Sequence, residues 1–242
     1  MHRLVAEAFP EAREPATLAE IVERRADFLV GYQNDAYAQR YRDLVAKVEA
    51  AEEKVGRKRE LTNAVARYYF KLLAYKDEYE VARLYTNGEF EKRIRETFDG
   101  KLKLTFHLAP PVLNAETDSQ GRPKKREFGP MTFRLFKLLA KMKGLRGTAF
   151  DPFGRSAERK MERRLITDYE AMIGEILGAL SKDNHRFAVA LAALPDQIRG
   201  YGPVKEAAIA KAEKSKQDLL GQFRSPTSRS ANARAKTAEP AQ

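Results

Sequence analysis

Three arginines, Arg155, Arg159 and Arg163, recur at every fourth residue within KGLRGTAFDPFGRSAERKMERR, the run from Lys143 to Arg164. On a helix this spacing puts them on one face. Like charges stacked this way repel by roughly a few tenths of a kcal/mol per pair. They also lie near the start of the expected helix, where the macrodipole favours anions. A chain that tolerates both penalties is expected to hold something negative nearby: acidic side chains, a phosphate or a partner protein. The chemistry on offer is anion recognition. Arg146, in the glycine-bounded turn just upstream, joins them as a candidate docking or anion contact.

Across residues 130–164, Arg134, Lys137, Lys141, Lys143, Arg146, Arg155, Arg159, Lys160, Arg163 and Arg164 far outnumber Asp151, Glu158 and Glu162. The uses of that excess, in order of support, are a solvated face laced by internal salt bridges, docking of a partner or acidic ligand, and contact with a nucleic-acid backbone. Nucleic acid comes last because Phe133, Phe136 and Phe153 fall at core spacing instead of forming a stacking platform. Two other candidates stand apart. His107 lies between Phe106 and Leu108, just before Pro110-Pro111, and alternation turns it towards solvent or an interface. No nucleophile or carboxylate is bound to lie beside it, so a structural or interface role is expected. Arg83, in EYEVARLYT, is expected to pair with Asp77, Glu78 or Glu80, with Val81 and Leu84 setting the buried face.

The remaining chemistry is excluded class by class. With no cysteine among 242 residues, the chain offers no thiol nucleophile, disulfide or cysteine-ligated iron–sulfur cluster. His2, His107 and His185 have no metal-ligand spacing. Nucleophile-elbow, zinc-helix, phosphate-loop and dinucleotide motifs are missing. At 43% hydrophobic and 33% charged, the composition predicts a soluble globular protein. A net charge of +11 suits nucleic acid, acidic ligands or an acidic partner without choosing among them. No apolar run suffices to cross a bilayer, and the N-terminus does not read as a secretory signal, so a cytoplasmic location is expected.

The elements that would position these residues are mostly helices. Thr17 to Glu20 forms a capping box, followed by a helical apolar period to about Lys54, bent near Gly31. A second helix from Leu61 buries Val65, Tyr68, Tyr69, Leu72 and Leu73, and runs or kinks into DEYEVARLY before the Asn87-Gly88 stop. A shorter one carries Phe90, Ile94 and Phe98. KLKLTFHL, residues 101–108, alternates as a strand that needs a partner, either near Arg126–Phe128 or on another subunit. Further helices follow Pro130, extend to about Leu180, run from Asp183 to Leu194, and span Val204 to Phe223. The expected fold is mainly α: a multi-helix, bundle-like domain with a minor β element near 101–108 and a disordered C-terminal tail. Residues 1–16 form a lead-in, 17–223 the helical module and 224–242 a disordered basic tail.

Five blocks in order carry a family resemblance: YKDEYEVARLYT (75–86), LTFHLAPP (104–111), GRPKKREFGP (121–130), KGLRGTAFDPFGRSAERKMERRLI (143–166) and LAALPDQIRGYGPVKE (191–206). Together they resemble the C-terminal region of the long, fused bacterial indolepyruvate ferredoxin oxidoreductases, over about Leu18 to Phe223. Met131 is a departure, standing where a tryptophan is expected. The resemblance implies oxidative decarboxylation of an aryl 2-oxoacid to an acyl-coenzyme A, with electrons passed to ferredoxin. The family's thiamine diphosphate and [4Fe–4S] clusters belong to regions upstream of the part resembled. This chain is therefore expected to bind no cofactor, to supply no catalytic residue, and to act as a helical module or subunit. Its partners would be the thiamine- and cluster-bearing regions, and ferredoxin as an acidic partner. The alternative is a free-standing basic helical protein that binds RNA or anions.

Overall fold

The computed structural model describes residues 17–56, 58–100, 104–108, 126–129 and 131–225. The expected N-terminal lead-in, and all but Arg224 and Ser225 of the expected tail, lie outside them. Thr17 opens α1 (Leu18–Tyr32) with the expected capping box, its hydroxyl accepting from the Glu20 amide while the Glu20 carboxylate accepts from the Thr17 amide. The long helix expected through Gly31 is in fact two. The Asn34 side chain accepts from the Tyr37 amide and starts α2 (Asp35–Lys54), so a local side-chain cap competes with helix continuation. Next come α3 (Glu60–Leu73), α4 (Glu78–Thr86) and α5 (Glu89–Thr97). The strands are β1 (Phe106–Leu108) and β2 (Arg126–Phe128). The rest is α6 (Met131–Lys141), a 3-10 turn (Met142–Leu145), α7 (Ala157–Ala179), α8 (His185–Ala192), a second 3-10 turn (Leu194–Gln197) and α9 (Pro203–Arg224). The mainly α architecture with a minor β element is thus present. Among the described residues no helix is long and apolar enough to cross a membrane.

Two apolar clusters organise the molecule. The larger draws on α1, α2, α3, α7, α8 and α9 and is rich in tyrosine. Tyr32, Tyr41 and Tyr69 are fully buried, and Tyr41, Tyr69 and Tyr169 form a stacked series. A buried phenol needs a partner. The hydroxyls of Tyr32, Tyr37, Tyr41 and Tyr169 donate to the carbonyls of Tyr75, Leu73, Ala66 and Ala192 at 2.9 to 3.0 Å. These bonds fasten helices across the core as well as filling it.

The smaller cluster centres on Ala82 of α4, Phe106 of β1 and Phe136 of α6, with Tyr85, Leu104, Phe128, Phe133 and Leu139 around them. The strand finds its partner within the chain. Phe106 faces Phe128, His107 faces Glu127 and Leu108 faces Arg126 in an antiparallel pair. Only 106–108 of the expected strand is extended, and 101–103 lie outside the described residues. Two expectations fail in this region, at α4 and α5. The buried side of α4 is Tyr79, Glu80 and Ala82, while Leu84 is 44% exposed, because that helix is rotated onto α6 and the polar contacts of residues 77–79. Helix α5 buries none of its residues: Phe90 touches Tyr85 edge-on and Phe98 faces solvent. On α6 the apolar residues outnumber the room inside, leaving Met131, Leu135 and Leu138 exposed.

Candidate functional site

The basic stretch meets the structure where α1 ends and α4 begins. The last carbonyls of a helix lack internal partners and carry the negative end of its dipole. Lys143 donates to the carbonyls of Val30 (3.0 Å) and Gly31 (2.8 Å), and Arg146 donates to that of Tyr32 (2.6 Å). Part of the positive charge is therefore a C-terminal cap for α1. Gly31 itself leaves little room for a side chain, since a Cβ there would come within 3.3 Å of the Arg83 guanidinium.

Three consecutive residues, Asp77, Glu78 and Tyr79, are each held by the segment 146–159. The Arg146 fork meets Asp77 through Nε–Oδ2 at 2.5 Å and Nη2–Oδ1 at 2.9 Å, with both residues almost completely buried. The guanidinium also lies over the Tyr32 ring, 3.6 Å from its centroid. Asp77 in turn caps α4, accepting from the Glu80 amide at 2.8 Å. Arg159 pairs with Glu78 through bonds of 3.2 and 3.3 Å. The Tyr79 hydroxyl donates to Asp151 at 3.1 Å, and its ring meets Phe153 edge-on at 5.4 Å. This three-point attachment is called the clasp below.

Burial works against charge at both clasp arginines. For Arg146 the Asp77 hydrogen bonds more than compensate and hold its pKa above the ordinary value. For Arg159 the Glu78 carboxylate does the same. Burial pushes the Tyr32 phenol far up, and the Asp77 charge adds to the shift. Tyr79 moves the same way, through burial first and then the Asp151 charge. All these groups are held in their ordinary charge states, arginines positive and phenols neutral. For these arginines and phenols the arrangement fixes geometry.

The sequence candidates separate accordingly. Arg146 and Arg159 are buried in the clasp. Arg163 donates to the Gly154 carbonyl at 2.5 Å, which ties the loop to α7. Arg155 lies before the Ser156 cap, outside the helix, so the expected three-arginine face is an Arg159–Arg163 pair. Its side chain is exposed and reaches the Ala149 carbonyl at 3.4 Å. Arg83 pairs with Glu80 at 2.7 and 2.8 Å and lies over Phe28, as its expected pairing requires. His107 is exposed on β1, opposite Glu127.

One polar constellation had no assigned role from sequence. Glu52, 1% exposed, accepts from the amides of Leu61 and Thr62 at 2.8 Å each and from the Thr62 hydroxyl at 2.6 Å. Its Oε1 also meets His185 Nε2 at 2.6 Å. Burial by itself would raise this carboxyl, but the hydrogen bonds from Thr62, His185 and the two amides bring it below the ordinary value. The carboxylate caps the start of α3 and anchors α8. The signal was present: Tyr41, Val45, Val48 and Glu52 share one stripe of α2, and a charge on an apolar stripe calls for a buried partner.

Among the described residues no group of three or more His, Cys, Asp or Glu could hold a metal ion. A cleft of about 540 Å³ lies beside α2, where Arg40 pairs with Glu170 at 2.7 Å and Tyr69 donates to the same carboxylate. No curated protein and no solved structure matches the chain significantly. A family description does match, and over residues 18–218 it takes in every helix and both strands among the described residues except the end of α9. The chain belongs to this family of unknown function, DUF6537.

Proposed function

We propose that this chain is a non-catalytic helical module, or separately made subunit, of an indolepyruvate-type 2-oxoacid ferredoxin oxidoreductase, working in the cytoplasm. The observation that carries the proposal is the meeting of the five resembling blocks. Block 75–86 is gripped by block 143–166 through Asp77–Arg146, Glu78–Arg159 and Tyr79–Asp151. The described parts of blocks 104–111 and 121–130 pair as the hairpin, and Phe106 packs edge-on against Tyr85 of the first block. Block 191–206 reaches block 143–166 through Lys205 and Glu162. Stretches far apart in sequence thus build one interlocked unit, the arrangement expected of a shared structural module.

The chemistry would reside in the rest of the assembly. A chain without cysteine does not fit the family's [4Fe–4S] clusters, so the cluster-bearing and thiamine diphosphate-bearing polypeptides are its partners, with ferredoxin and coenzyme A engaging the complete enzyme. The contacts first considered for docking change in character. Arg146 and Arg159 hold the module together, and the hairpin's inner edge is already paired. The alternative of an RNA- or anion-binding protein loses the same charges, because Lys143, Arg146, Arg159 and Arg163 all have partners inside the molecule.

Size-exclusion chromatography at low salt with the purified thiamine- and cluster-bearing polypeptide tests the proposal, followed by indolepyruvate-dependent ferredoxin reduction. Co-elution, with no turnover by this chain alone, is the expected result. Separate elution, or decarboxylation by the isolated chain, would refute it.

A further inference from the structure

We infer that the loop 147–154 presents Phe150 as a docking knob for an apolar, carboxylate-rimmed pocket on a partner protein. Phe150 is 82% exposed, the most exposed of the large apolar side chains among the described residues. An isolated surface aromatic needs no special explanation. The construction beneath this one does.

The loop is fixed at both ends and from below. Gly147 takes φ +76°, a conformation that favours glycine, and donates its N–H to Asp151 Oδ2 at 2.8 Å. Asp151 is 4% exposed and also accepts from the Phe153 amide and the Tyr79 hydroxyl, each at 3.1 Å. Thr148 donates to the Leu145 carbonyl at 2.8 Å and accepts from the Phe150 amide at 3.3 Å. Gly154 packs so closely on Asp151 that a Cβ there would meet Oδ2 at 2.5 Å. The Arg163 guanidinium holds the Gly154 carbonyl. The backbone on either side of Phe150 is thus held by polar bonds, exposed at Thr148 and partly or fully buried at Asp151 and Gly154, while the ring stays in water.

Pre-organisation of this kind lowers the conformational entropy lost on docking, and aromatic and arginine anchors dominate binding energy at interfaces. The neighbouring charge sets the partner's chemistry. Arg155 reaches the carbonyl of Ala149, the residue before Phe150, and among the described residues no carboxylate forms an ion pair with it. Lys160 is exposed on the first turns of α7. An apolar pocket with Asp or Glu on its rim would bury the ring and pair with Arg155 together. The partner is defined by this chemistry, whether or not it is the oxidoreductase body.

Replacing Phe150 with the photo-cross-linking analogue p-benzoylphenylalanine, in the full chain at its natural level in its own cells, tests the site directly. The expected product joins residue 150 to another polypeptide, at a mapped peptide containing apolar residues and Asp or Glu. Arg155→Glu should cut the yield roughly tenfold or more. A product with a second copy of this chain, with lipid, or with no polypeptide overturns the inference, as does a yield that Arg155→Glu leaves unchanged. A mapped partner other than the oxidoreductase, with a yield that Arg155→Glu cuts, would support the knob and leave the functional proposal to its own co-elution test. Conversely, if the oxidoreductase body binds Phe150→Ser as tightly as the unaltered chain and residue 150 cross-links to no other polypeptide, the knob alone is refuted. Phe150→Ser should leave the urea midpoint in place, separating lost binding from lost fold.

Discussion

The tyrosine core and the hairpin lobe solve the same packing problem with unequal means. In the core, helices α1–α3 and α7–α9 surround a large buried cluster, and its phenols close bonds between helices. The lobe of α4, the hairpin and α6 packs around a cluster of three buried residues, Ala82, Phe106 and Phe136, and leaves part of α6 in water. At ~25 cal/mol per Å² of apolar surface, so small a cluster can add little to the stability of ordered chain. The clasp makes up the difference by tying Asp77, Glu78 and Tyr79 to a segment that also caps α1. A basic stretch that reads like a binding face is chiefly the fastening between a strong region and a weak one.

Cutting the fastening should have the largest effect. Arg146→Ala leaves Asp77 buried without its counter-charge, and breaking one partner of such a pair costs about 3–5 kcal/mol. A fall of that size in urea unfolding free energy is expected, with amides of α4 losing hydrogen-exchange protection before those of α3. Equal loss in both helices would erase the distinction between the regions.

Within the core, Glu52→Gln should cost roughly 1.5–3 kcal/mol through weakened charge-assisted bonds. Its pH dependence has a definite sign. The folded carboxyl sits below its ordinary value, so its contribution is present above about pH 4.3, the unfolded pKa, and is lost as pH falls through the folded one. Urea midpoints between pH 6 and pH 3 should therefore fall more steeply for the natural chain than for Glu52→Gln. Parallel curves would show that Glu52 gains nothing from its partners.

Gly154→Ala should cost about 1–3 kcal/mol, since the new Cβ meets an Asp151 held by three hydrogen bonds. A neutral result in thermal melts would mean that the loop yields. The smallest effect belongs to the lobe's outer face: Leu138→Glu, at 57% exposure, should stay within about 0.5 kcal/mol. A large loss there would show that α6 is more tightly packed than its exposure indicates.

Local chemistry was largely legible in the sequence. The capping box at Thr17 and the core stripe of Tyr69, Leu72 and Leu73 follow from short-range pattern, whereas the strand at 106–108 is legible but the sequence leaves its partner open between 126–128 and another subunit. The misplaced features depend on long-range contacts. Gly31 reads as a bend, yet the break comes at Asn34, and Lys143 and Arg146, over a hundred residues away in sequence, satisfy the carbonyls before it. Arg155, Arg159 and Arg163 share a helical period but divide among solvent, Glu78 and a loop carbonyl, because Ser156 starts the helix one residue after Arg155. Arginine spacing reports a shared face, and only the fold decides what that face meets. His185 carried no role in the sequence because its partner, Glu52, lies on another helix.

The clasp is tested most directly by a double-mutant cycle on Asp77 and Arg146, using Asp77→Ala, Arg146→Ala and the pair in urea unfolding. A coupling energy of about 1.5 kcal/mol or more, with the double variant far less destabilised than the sum of the singles, is the expected result. Additive losses, with coupling under about 0.5 kcal/mol, would mean that these charges do not hold the lobe to the core.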